Sequence, residues 1–496
     1  MSVTFQDVLN FINKVNKENK NIKTLVKNQN DFSINISDVI SDSREVKPGT
    51  LFACIKGENS DGHKFAKMAE EKGAVAFLCE REIDSNLPQI IVERVRDFLG
   101  LVAAFVYDNP SEKLLMVGVT GTNGKTTTTY IIRSILQAAG IRTGLLGTII
   151  ESDGINDKEA DRTTPESCEI QKQLASMVKN GCGACVMETS SHGLFLGRIK
   201  GARYDVPVFT NLYPEHLDFH LDMENYFAAK KLLFTDYTKE NFIGAANFDD
   251  SYGKRLLKEF DKNLRGFGLD DGADSRAFNV KMSLNGTELE ISTRGFENLK
   301  LHSPLVGDFN VMNTLCAVTA MRGRVSDEAI IKGVANVPQV PGRLERIDLP
   351  NGACCFIDFA HTPSALKSVL STIKKLSGNQ GKIISVFGHG GGRYQQNRPE
   401  LAKSASEFAD EIIITSDNAR DEEPIAIAQA IAAGASKPYK IIVDRPEAVN
   451  YALKLLNPGD ILVITGKGPE KFITIKDKKI PFNDAEAVKK QIGIRS

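Results

Sequence analysis

The sequence predicts an α/β protein built from three domains, and three observations support this prediction. The chain has 496 residues, which is long for a single hydrophobic core. An apolar run at 114–117 leads into a glycine-rich turn and then into an amphipathic helical pattern that continues to Ala139. Beyond residue 341, apolar runs alternate with helical segments, which indicates a largely parallel sheet covered by helices.

Two polar, proline-containing segments, 109–113 and 338–342, divide the chain. The predicted domains are therefore 1–108, 109–340 and 341–496. The first contains strand-like runs at 51–55 and 75–78 and a helical run near 63–72. The third is predicted to be a Rossmann-like, doubly wound domain. Its predicted strands are 354–357, 383–387, 411–415, 440–443 and 461–464, and its predicted helices are 364–376, 400–409, 425–433 and 446–455.

Composition excludes several classes of protein. Hydrophobic residues make up 42% and charged residues 25% of the chain, which is ordinary for a globular protein. The net charge of −1 provides no field that favours nucleic acid or an anionic membrane, and no apolar stretch is long enough for membrane insertion. The eight scattered cysteines suit reduced thiols in the cytoplasm. Cys182 and Cys185 lack a second ligand pair at zinc-site spacing, and we interpret them as structural.

The segment Gly118–Thr128 has the features of a phosphate-binding loop. It lies between a predicted strand and a predicted helix, so backbone N–H groups and the positive helix end point at a bound anion. Lys125 is placed to reach the outer phosphates, and the Thr126 hydroxyl is placed to bind magnesium. The standard pattern requires glycine where Val119 stands, and Gly118 is one place early. This loop is therefore a variant, and the alternative is a tight structural turn.

Three further residues have a chemical and a structural interpretation. Glu188 ends an apolar run, where it is either a magnesium ligand or a solvated glutamate at the sheet edge. His216 lies in 209–220, a segment dense in histidines and acids, although a single histidine is usually structural. Lys230 is four residues from both Tyr226 and Phe234 and projects from the same apolar helix face. Such a lysine is paired, chemically modified or snorkelling.

Arg343 lies at a predicted domain junction, where a cation could stabilise a transferring phosphoryl group. Together these residues resemble the Mur ligase family, whose members use ATP to add amino acids to the peptidoglycan precursor. The resemblance spans the whole chain and is strongest to the tripeptide synthetase (MurE) branch. Its motifs are Ser41–Arg44 through Pro48-Gly49, Gly121–Thr126, Thr163–Pro165, Glu188–His192, Ala229-Lys230, Ile357–Pro363 and Asp417–Arg420.

The resemblance implies an N-terminal UDP-binding domain, a central ATP-binding domain with a mostly parallel sheet, and a C-terminal amino-acid-binding domain. ATP would be bound by Gly121, Thr122, Asn123, Gly124, Lys125, Thr126, Thr127, Asn310, Arg343 and Asp358. Two Mg²⁺ ions would be held by Thr126, Glu188, His216 and a carbamylated Lys230; Lys125, Lys230, His216 and Glu188 would be catalytic. UDP-N-acetylmuramoyl dipeptide would be bound by Ser43, Thr163, Thr164, Ser190 and Arg198. The incoming amino acid would be bound by Arg393, Asp417, Asn418, Arg420, Gly466 and Glu470.

The arginine of Asp417–Arg420 implies meso-diaminopimelate as the added amino acid, with L-lysine or another diamino acid as the alternative. Three positions depart from the family pattern: Ala419 replaces proline, Gly391-Gly392 lacks an aspartate, and Pro469 replaces histidine. A folylpolyglutamate-synthetase-like ligase and a non-catalytic nucleotide-binding regulator are further alternatives. The segment with Ser43 disfavours the first, and the set of potential metal ligands disfavours the second. We expect a cytoplasmic monomer.

Overall fold

A computed structural model describes residues 3–15, 23–26, 29–57, 60–378 and 380–493. The predicted first and third domains therefore each include residues outside the described ranges. The chain divides into two compact units. The first consists of Met1–Arg276, Ser292–Asn298 and Asn313–Gly333, and the second of Ala277–Ile291, Leu299–Met312 and Val334–Ser496. The boundaries predicted near 108 and 340 remain predictions.

Among its described residues, the N-terminal part of the first unit combines short strands with three α-helices. The strands are β1 (Val3–Thr4), β2 (Lys23–Leu25), β3 (Asn35–Ile36), β4 (Asp38–Ile40), β5 (Thr50–Ala53), β6 (Ala74–Cys79) and β7 (Gln89–Ile91). The helices are α1 (Phe5–Val15), α2 (Ala66–Glu71) and α3 (Val95–Val106), with 3₁₀ helices at Gln29–Ser33, Gly62–Phe65 and Pro110–Lys113. Five strands form a sheet in the order β2-β7-β6-β5-β4. The runs predicted at 51–55, 63–72 and 75–78 are confirmed.

The following part of the chain is built around a largely parallel sheet. Its strands are β8 (Leu115–Thr120), β9 (Thr143–Leu146), β10 (Ile150–Ser152), β11 (Asp157–Glu159), β12 (Ala184–Glu188), β13 (Val206–Phe209), β14 (Gly244–Asn247), β15 (Leu264–Gly268) and β16 (Ser275–Ser283). Its helices are α4 (Lys125–Ala138), α5 (Ser167–Lys179), α6 (Ser191–Phe195), α7 (Leu217–His220), α8 (Met223–Thr235) and α9 (Ser251–Glu259).

The order of these strands positions the site. Through β16, the sheet runs β11-β10-β9-β12-β8-β13-β14-β15-β16 and is parallel from β9 to β16. Strand β8 lies between β12 and β13, with Glu188 paired to Val119 and Phe209 paired to Thr120. The carboxyl ends of the three strands therefore meet at one edge, where ligands of parallel sheets bind.

The chain continues through an antiparallel pair, β17 (Gly286–Thr293) and β18 (Leu299–Ser303), and then through α10 (Asp308–Met321) and α11 (Asp327–Ala335). The strands that follow are β19 (Glu345–Asp348), β20 (Cys354–Asp358), β21 (Ile383–Phe387), β22 (Glu411–Ile414), β23 (Tyr439–Ile441), β24 (Ile461–Thr465), β25 (Phe472–Ile475) and β26 (Lys478–Pro481). The helices are α12 (Pro363–Ser377), α13 (Asn397–Phe408), α14 (Pro424–Ala432), α15 (Arg445–Leu455) and α16 (Asp484–Gln491).

The last sheet has the doubly wound form that the sequence predicts. Its order is β19-β20-β24-β21-β22-β23, and only β19 is antiparallel. In β21, Ile383 and Phe387 belong to one core cluster whereas Ile384 and Val386 belong to another. This alternation buries both faces, as expected for parallel strands covered by helices. Strand β23 ends at Ile441, two residues before the predicted end.

All eight cysteines are buried free thiols, and Cys185 lies within β12, in agreement with the structural interpretation of the Cys182–Cys185 spacing. No helix in the described part of the chain combines the length and the apolar character needed to cross a bilayer.

Candidate functional site

The phosphate-binding loop joins the end of β8 to the start of α4, so the predicted strand–turn–helix arrangement is confirmed. Gly121 and Gly124 have φ angles of 147° and 85°, which residues with side chains rarely adopt. Asn211, two residues after the end of β13, accepts two hydrogen bonds from the backbone of this loop. Its backbone carbonyl accepts from the Thr122 amide and its side-chain oxygen from the Asn123 amide, both at 2.9 Å. The first turn of α4 directs N–H groups toward this loop, which favours an anion such as phosphate.

Replacing Gly124 by alanine tests how strongly the loop depends on glycine. An added Cβ atom would overlap Oδ1 of Asn313, and the positive φ angle would add backbone strain. We expect G124A to lower the free energy of unfolding by about 1–3 kcal/mol, measured by denaturant unfolding. Gly140→Ala is the matched control, because Gly140 has a φ of 77° and nothing lies within 4 Å of its added Cβ atom. Equal destabilisation by both substitutions would contradict the expected steric effect.

Glu188 ends β12 beside the loop and is only 1% exposed. Its carboxylate accepts from the Thr126 hydroxyl at 3.0 Å and from the backbone N–H and hydroxyl of Thr148 at 2.8 and 3.0 Å. The alternative of a solvated glutamate at the sheet edge is therefore wrong. Thr126 and Glu188 together provide adjacent oxygen donors, the type of ligand that Mg²⁺ prefers.

Lys230 projects from α8 into the protein and is 1% exposed, so the snorkelling interpretation is wrong. Its Nζ atom donates to the Gly121 carbonyl at 2.8 Å and lies 4.6 Å from the centroid of the Tyr226 ring. The Nζ atom of Lys125 donates to the same carbonyl at 2.9 Å, so the two amines converge on one acceptor. Burial, together with the charge of Lys125, lowers the pKa of Lys230 well below its usual range. This shift favours the neutral, nucleophilic amine.

His216 immediately precedes α7, and its backbone is left-handed, with a φ of 55°. Its side chain is 46% exposed, and its ring packs edge-on against His192 with centroids 4.8 Å apart. The ring centroid of Tyr226, which contacts Lys230, lies 6.3 Å from that of His216. The Tyr226 ring therefore lies between His216 and Lys230 as a shared neighbour, and the His216 imidazole is partly exposed.

Thr126, Glu188, His216 and Lys230 remain the predicted metal ligands. Within the described ranges, no three His, Cys, Asp or Glu side chains converge into a set that could hold a metal ion. The predicted set differs in kind, because it depends on a hydroxyl and on a modified lysine. The donors that the structure does place together are the Thr126 hydroxyl and the Glu188 carboxylate, 3.0 Å apart.

The residues predicted to bind the dipeptide substrate cluster on the other side of Glu188. The Thr164 hydroxyl donates to the Glu188 backbone carbonyl at 2.9 Å and accepts from the Ser190 amide at 3.0 Å. The Thr163 hydroxyl lies 3.1 Å from that of Thr148. Arg198 donates to the Thr164 carbonyl at 3.4 Å. These four residues are therefore brought together, and Glu188 joins them to the phosphate-binding loop.

Ser43 lies in the N-terminal part of the same unit and is 7% exposed. Two residues earlier, the Ser41 hydroxyl contacts the Cys168 thiol at 3.5 Å, which brings this segment to the start of α5. Glu166, which sequence reasoning missed, forms ion pairs with three arginines at 2.8–3.4 Å: Arg96, Arg162 and Arg198. A possible signal was its position directly after Pro165, where it caps α5.

The second unit contains the remaining residues of the predicted nucleotide set. Asn310 is 2% exposed and donates to the Val306 carbonyl at 2.9 Å. The Asp358 carboxylate accepts from the amides of Leu344 and Ala360 at 2.8 Å each. Burial raises the pKa of Asp358, and the positive charge of Arg343 opposes this shift. Their role in binding a nucleotide stays a prediction.

The loops at the carboxyl ends of β21, β22 and β24 carry the predicted amino-acid ligands, and the structure brings most of them together. Asn418 Nδ2 donates to the Glu470 carboxylate at 2.9 Å, and Arg420 donates to the Gly391 carbonyl at 2.6 Å. A Cβ atom on Gly466 would lie 3.0 Å from the Asp417 carboxylate, so these two loops are in close contact. Arg393 is exposed on the loop after β21.

Sequence reasoning missed Lys467, whose side chain is completely buried between these loops. Its Nζ atom donates to the Glu470 carboxylate at 2.7 Å and to the Asn418 side-chain oxygen at 3.2 Å. Burial of an ammonium group is costly unless acidic partners surround it, which explains its position. The sequence feature that could have indicated Lys467 is its position between two glycines at the end of a predicted strand.

The fold and the site define an α/β protein with a variant phosphate-binding loop and a doubly wound C-terminal domain. Three family models match the chain in order: "Mur ligase family, catalytic domain" at residues 35–107, "Mur ligase middle domain" at 119–321 and "Mur ligase, glutamate ligase domain" at 342–468. The chain belongs to the Mur ligase family and is an ATP-dependent ligase. This membership rules out the non-catalytic regulator.

Individual relatives agree with this family. The UDP-N-acetylmuramoyl-L-alanyl-D-glutamate–2,6-diaminopimelate ligase of Aquifex aeolicus is 41% identical over 92% of this chain and 94% of its own length. A ligase of the same name from Clostridium acetobutylicum is 40% identical over 92% and 95%. A solved structure of a ligase with this name has a TM-score of 0.71 and 28% identity, and the match covers 99% of both chains.

Proposed function

We propose that this chain adds meso-diaminopimelate to UDP-N-acetylmuramoyl-L-alanyl-D-glutamate in an ATP-dependent step of peptidoglycan synthesis. Relatives about 40% identical over most of the chain carry the name of this activity. The observation that carries the proposal is the position of Glu188. Its carboxylate bonds to Thr126 of the phosphate-binding loop, while its backbone carbonyl accepts from Thr164 among the predicted dipeptide ligands. One residue would thus join the predicted ATP site to the predicted dipeptide site.

The proposed reaction has two steps. A carboxylate oxygen of the D-glutamyl residue attacks the γ-phosphorus of ATP, the bond to ADP breaks, and an acyl phosphate forms. The neutral α-amino group of diaminopimelate then attacks the acyl carbon, phosphate leaves, the nitrogen loses one proton to solvent, and an amide bond forms. Lys125 would offset negative charge on the transferring phosphoryl group, and Arg198 would orient the dipeptide. Mg²⁺ held by Thr126 and Glu188 would further offset the phosphate charge.

We propose that Lys230 is carbamylated and that the carbamate is a ligand of the second Mg²⁺ ion. The neutral Nζ atom would attack CO₂, forming an N–C bond, and one proton would leave to solvent. The product is a carbamate, which replaces a cation by an anionic oxygen donor. The lowered pKa of Lys230 supports this chemistry, because only the uncharged amine reacts. His216 would complete the second magnesium site.

Diaminopimelate would match the charged groups on the loops that follow β21, β22 and β24 better than L-lysine would. Its distal centre carries a carboxylate and an ammonium group, which Arg420 and Glu470 would bind respectively. Two of the positions that depart from the family pattern, Gly391 and Ala419, are in contact in this chain. A Cβ atom on Gly391 would overlap the Ala419 carbonyl, and Ala419 is 1% exposed. L-Lysine lacks the distal carboxylate and would leave the guanidinium of Arg420 without that partner.

An amino-acid panel tests this specificity. With saturating ATP and UDP-muramoyl dipeptide, we expect kcat/KM for meso-diaminopimelate to exceed that for L-lysine by about 10²–10³-fold, because the site would reject a ligand that lacks the paired group. Phosphate release is measured, with reactions lacking each cosubstrate as controls. Strong turnover with L-lysine and none with diaminopimelate would exclude the proposed substrate. Turnover with a folate in place of the dipeptide would support the folylpolyglutamate-synthetase-like alternative.

A further inference from the structure

We propose that Arg445 is a positioning residue for the diamino-acid pocket, because its guanidinium fixes the spacing between the loops 416–420 and 466–470. This role rests on the proposed function, since these loops carry the predicted ligands Asp417, Asn418, Arg420, Gly466 and Glu470. Arg445 lies outside both loops, at the first position of α15.

The guanidinium contacts backbone carbonyls at the start of the first loop and immediately before the second loop. Nη1 donates to the Ser416 carbonyl at 3.2 Å, and Nη2 donates to the Thr465 carbonyl at 2.8 Å. Asp417 follows the first carbonyl and Gly466 follows the second. A single rigid, planar group therefore determines how far apart the two loops start.

The last helix holds this guanidinium in place. Nε and Nη2 of Arg445 each donate at 2.8 Å to a separate carboxylate oxygen of Asp484, and both side chains are 0% exposed. The residue before Asp484 reaches the pocket directly, because Asn483 Nδ2 donates to the Glu470 carbonyl at 3.0 Å. The N-terminus of α16 thus supports both Arg445 and the loop that carries Glu470.

The pocket side of the loops depends on the same spacing. Asn418 Nδ2 and Lys467 Nζ both donate to Glu470 Oε2, at 2.9 and 2.7 Å. A displacement of either loop would separate these partners and move the groups that face the amino acid. Displacements of about 1 Å in a binding site can cost about 10²-fold in rate. Lysine at position 445 could not hold Asp484 in bidentate fashion and also reach two carbonyls in fixed directions.

The test is the effect of R445K on each Michaelis constant of the enzyme. We expect the KM for diaminopimelate to rise about ten-fold or more, while the KM values for ATP and UDP-muramoyl dipeptide change by less than about two-fold. D484N keeps the shape of Asp484 but removes its charge, and it should also raise the KM for diaminopimelate. This variant replaces R445K in the test if R445K folds poorly. Thermal unfolding of each variant is measured in parallel.

Arg322→Lys is the matched control for general destabilisation. Arg322 is also buried and donates to an acidic partner, Asp327, at 2.7 Å, but it belongs to the first unit. R322K should lower thermal stability without changing the ratio of the KM values for diaminopimelate and ATP.

Two outcomes would overturn the proposed role, and they are distinguishable. In the first outcome, the wild-type enzyme uses diaminopimelate, but the three KM values of R445K and D484N are unchanged or rise equally. This result overturns the role of Arg445 alone. A wild-type enzyme that does not turn over with diaminopimelate overturns the proposed function, and this role with it.

Discussion

Lys125→Met is expected to lower kcat by about 10²–10³-fold, because the substitution removes the cation that we propose offsets the charge of the transferring phosphoryl group. Lys125 begins α4, and its Nζ atom already lies over the loop, where it donates to the carbonyls of Gly121 and Thr122 at 2.9 and 2.8 Å. Methionine keeps most of the side-chain length and loses only the charge and the donors. ATP-dependent phosphate release in the presence of both cosubstrates provides the measurement.

Lys179→Met is the matched control for this substitution. Lys179 is an exposed lysine in the last turn of α5, and no role in the reaction is proposed for it. K179M should retain wild-type activity. Retention of more than about a tenth of the activity by K125M would show that the loop does not act through this cation.

Lys230→Ala is expected to reduce kcat by about 10²-fold or more, because it removes both the proposed carbamate and the amine that contacts the loop. Lys231→Ala is the matched control: the next residue on the same helix pairs with Glu259 at 2.6 Å and has no part in the proposed site. K231A should keep its activity.

The carbamate itself is detected with ¹³C-labelled bicarbonate. Wild-type protein and K231A should each show one additional carbonyl resonance by ¹³C NMR, and K230A should lack it. The burial and the lowered pKa of Lys230 provide the physical reason, since a solvated ammonium group would not react. If the wild-type protein is fully active but shows no labelled carbonyl resonance, carbamylation is excluded. The amine of Lys230 would then keep a role.

The sequence was sufficient to predict features that depend on local spacing. The alternation beyond residue 341 predicted the doubly wound sheet, and the strand–turn–helix pattern predicted the phosphate-binding loop. Spacing also predicted that Lys230 shares a helix face with Tyr226 and Phe234, but it left snorkelling open, and only the structure shows that the side chain is buried. Its acceptor did not follow, because the Gly121 carbonyl lies 109 residues away along the chain.

Features that depend on strand order or on contacts between residues distant along the chain could not be predicted. Thr148 supports Glu188 only because β9 lies beside β12 in the sheet, and no spacing in the sequence encodes that neighbour. Arg445 follows the helix-capping residue Asp444, a position typical of solvated side chains. Its burial depends on Asp484, which is 39 residues further along the chain.

The pairing of Arg445 with Asp484 has a consequence for synthesis of the protein on the ribosome. All six strands of the doubly wound sheet precede α16 in the chain, so they emerge before the carboxylate that neutralises the buried guanidinium. A buried charge without its partner is strongly unfavourable, so this sheet reaches full stability only after α16 has emerged. Folding of this sheet is therefore completed only when α16 packs against it.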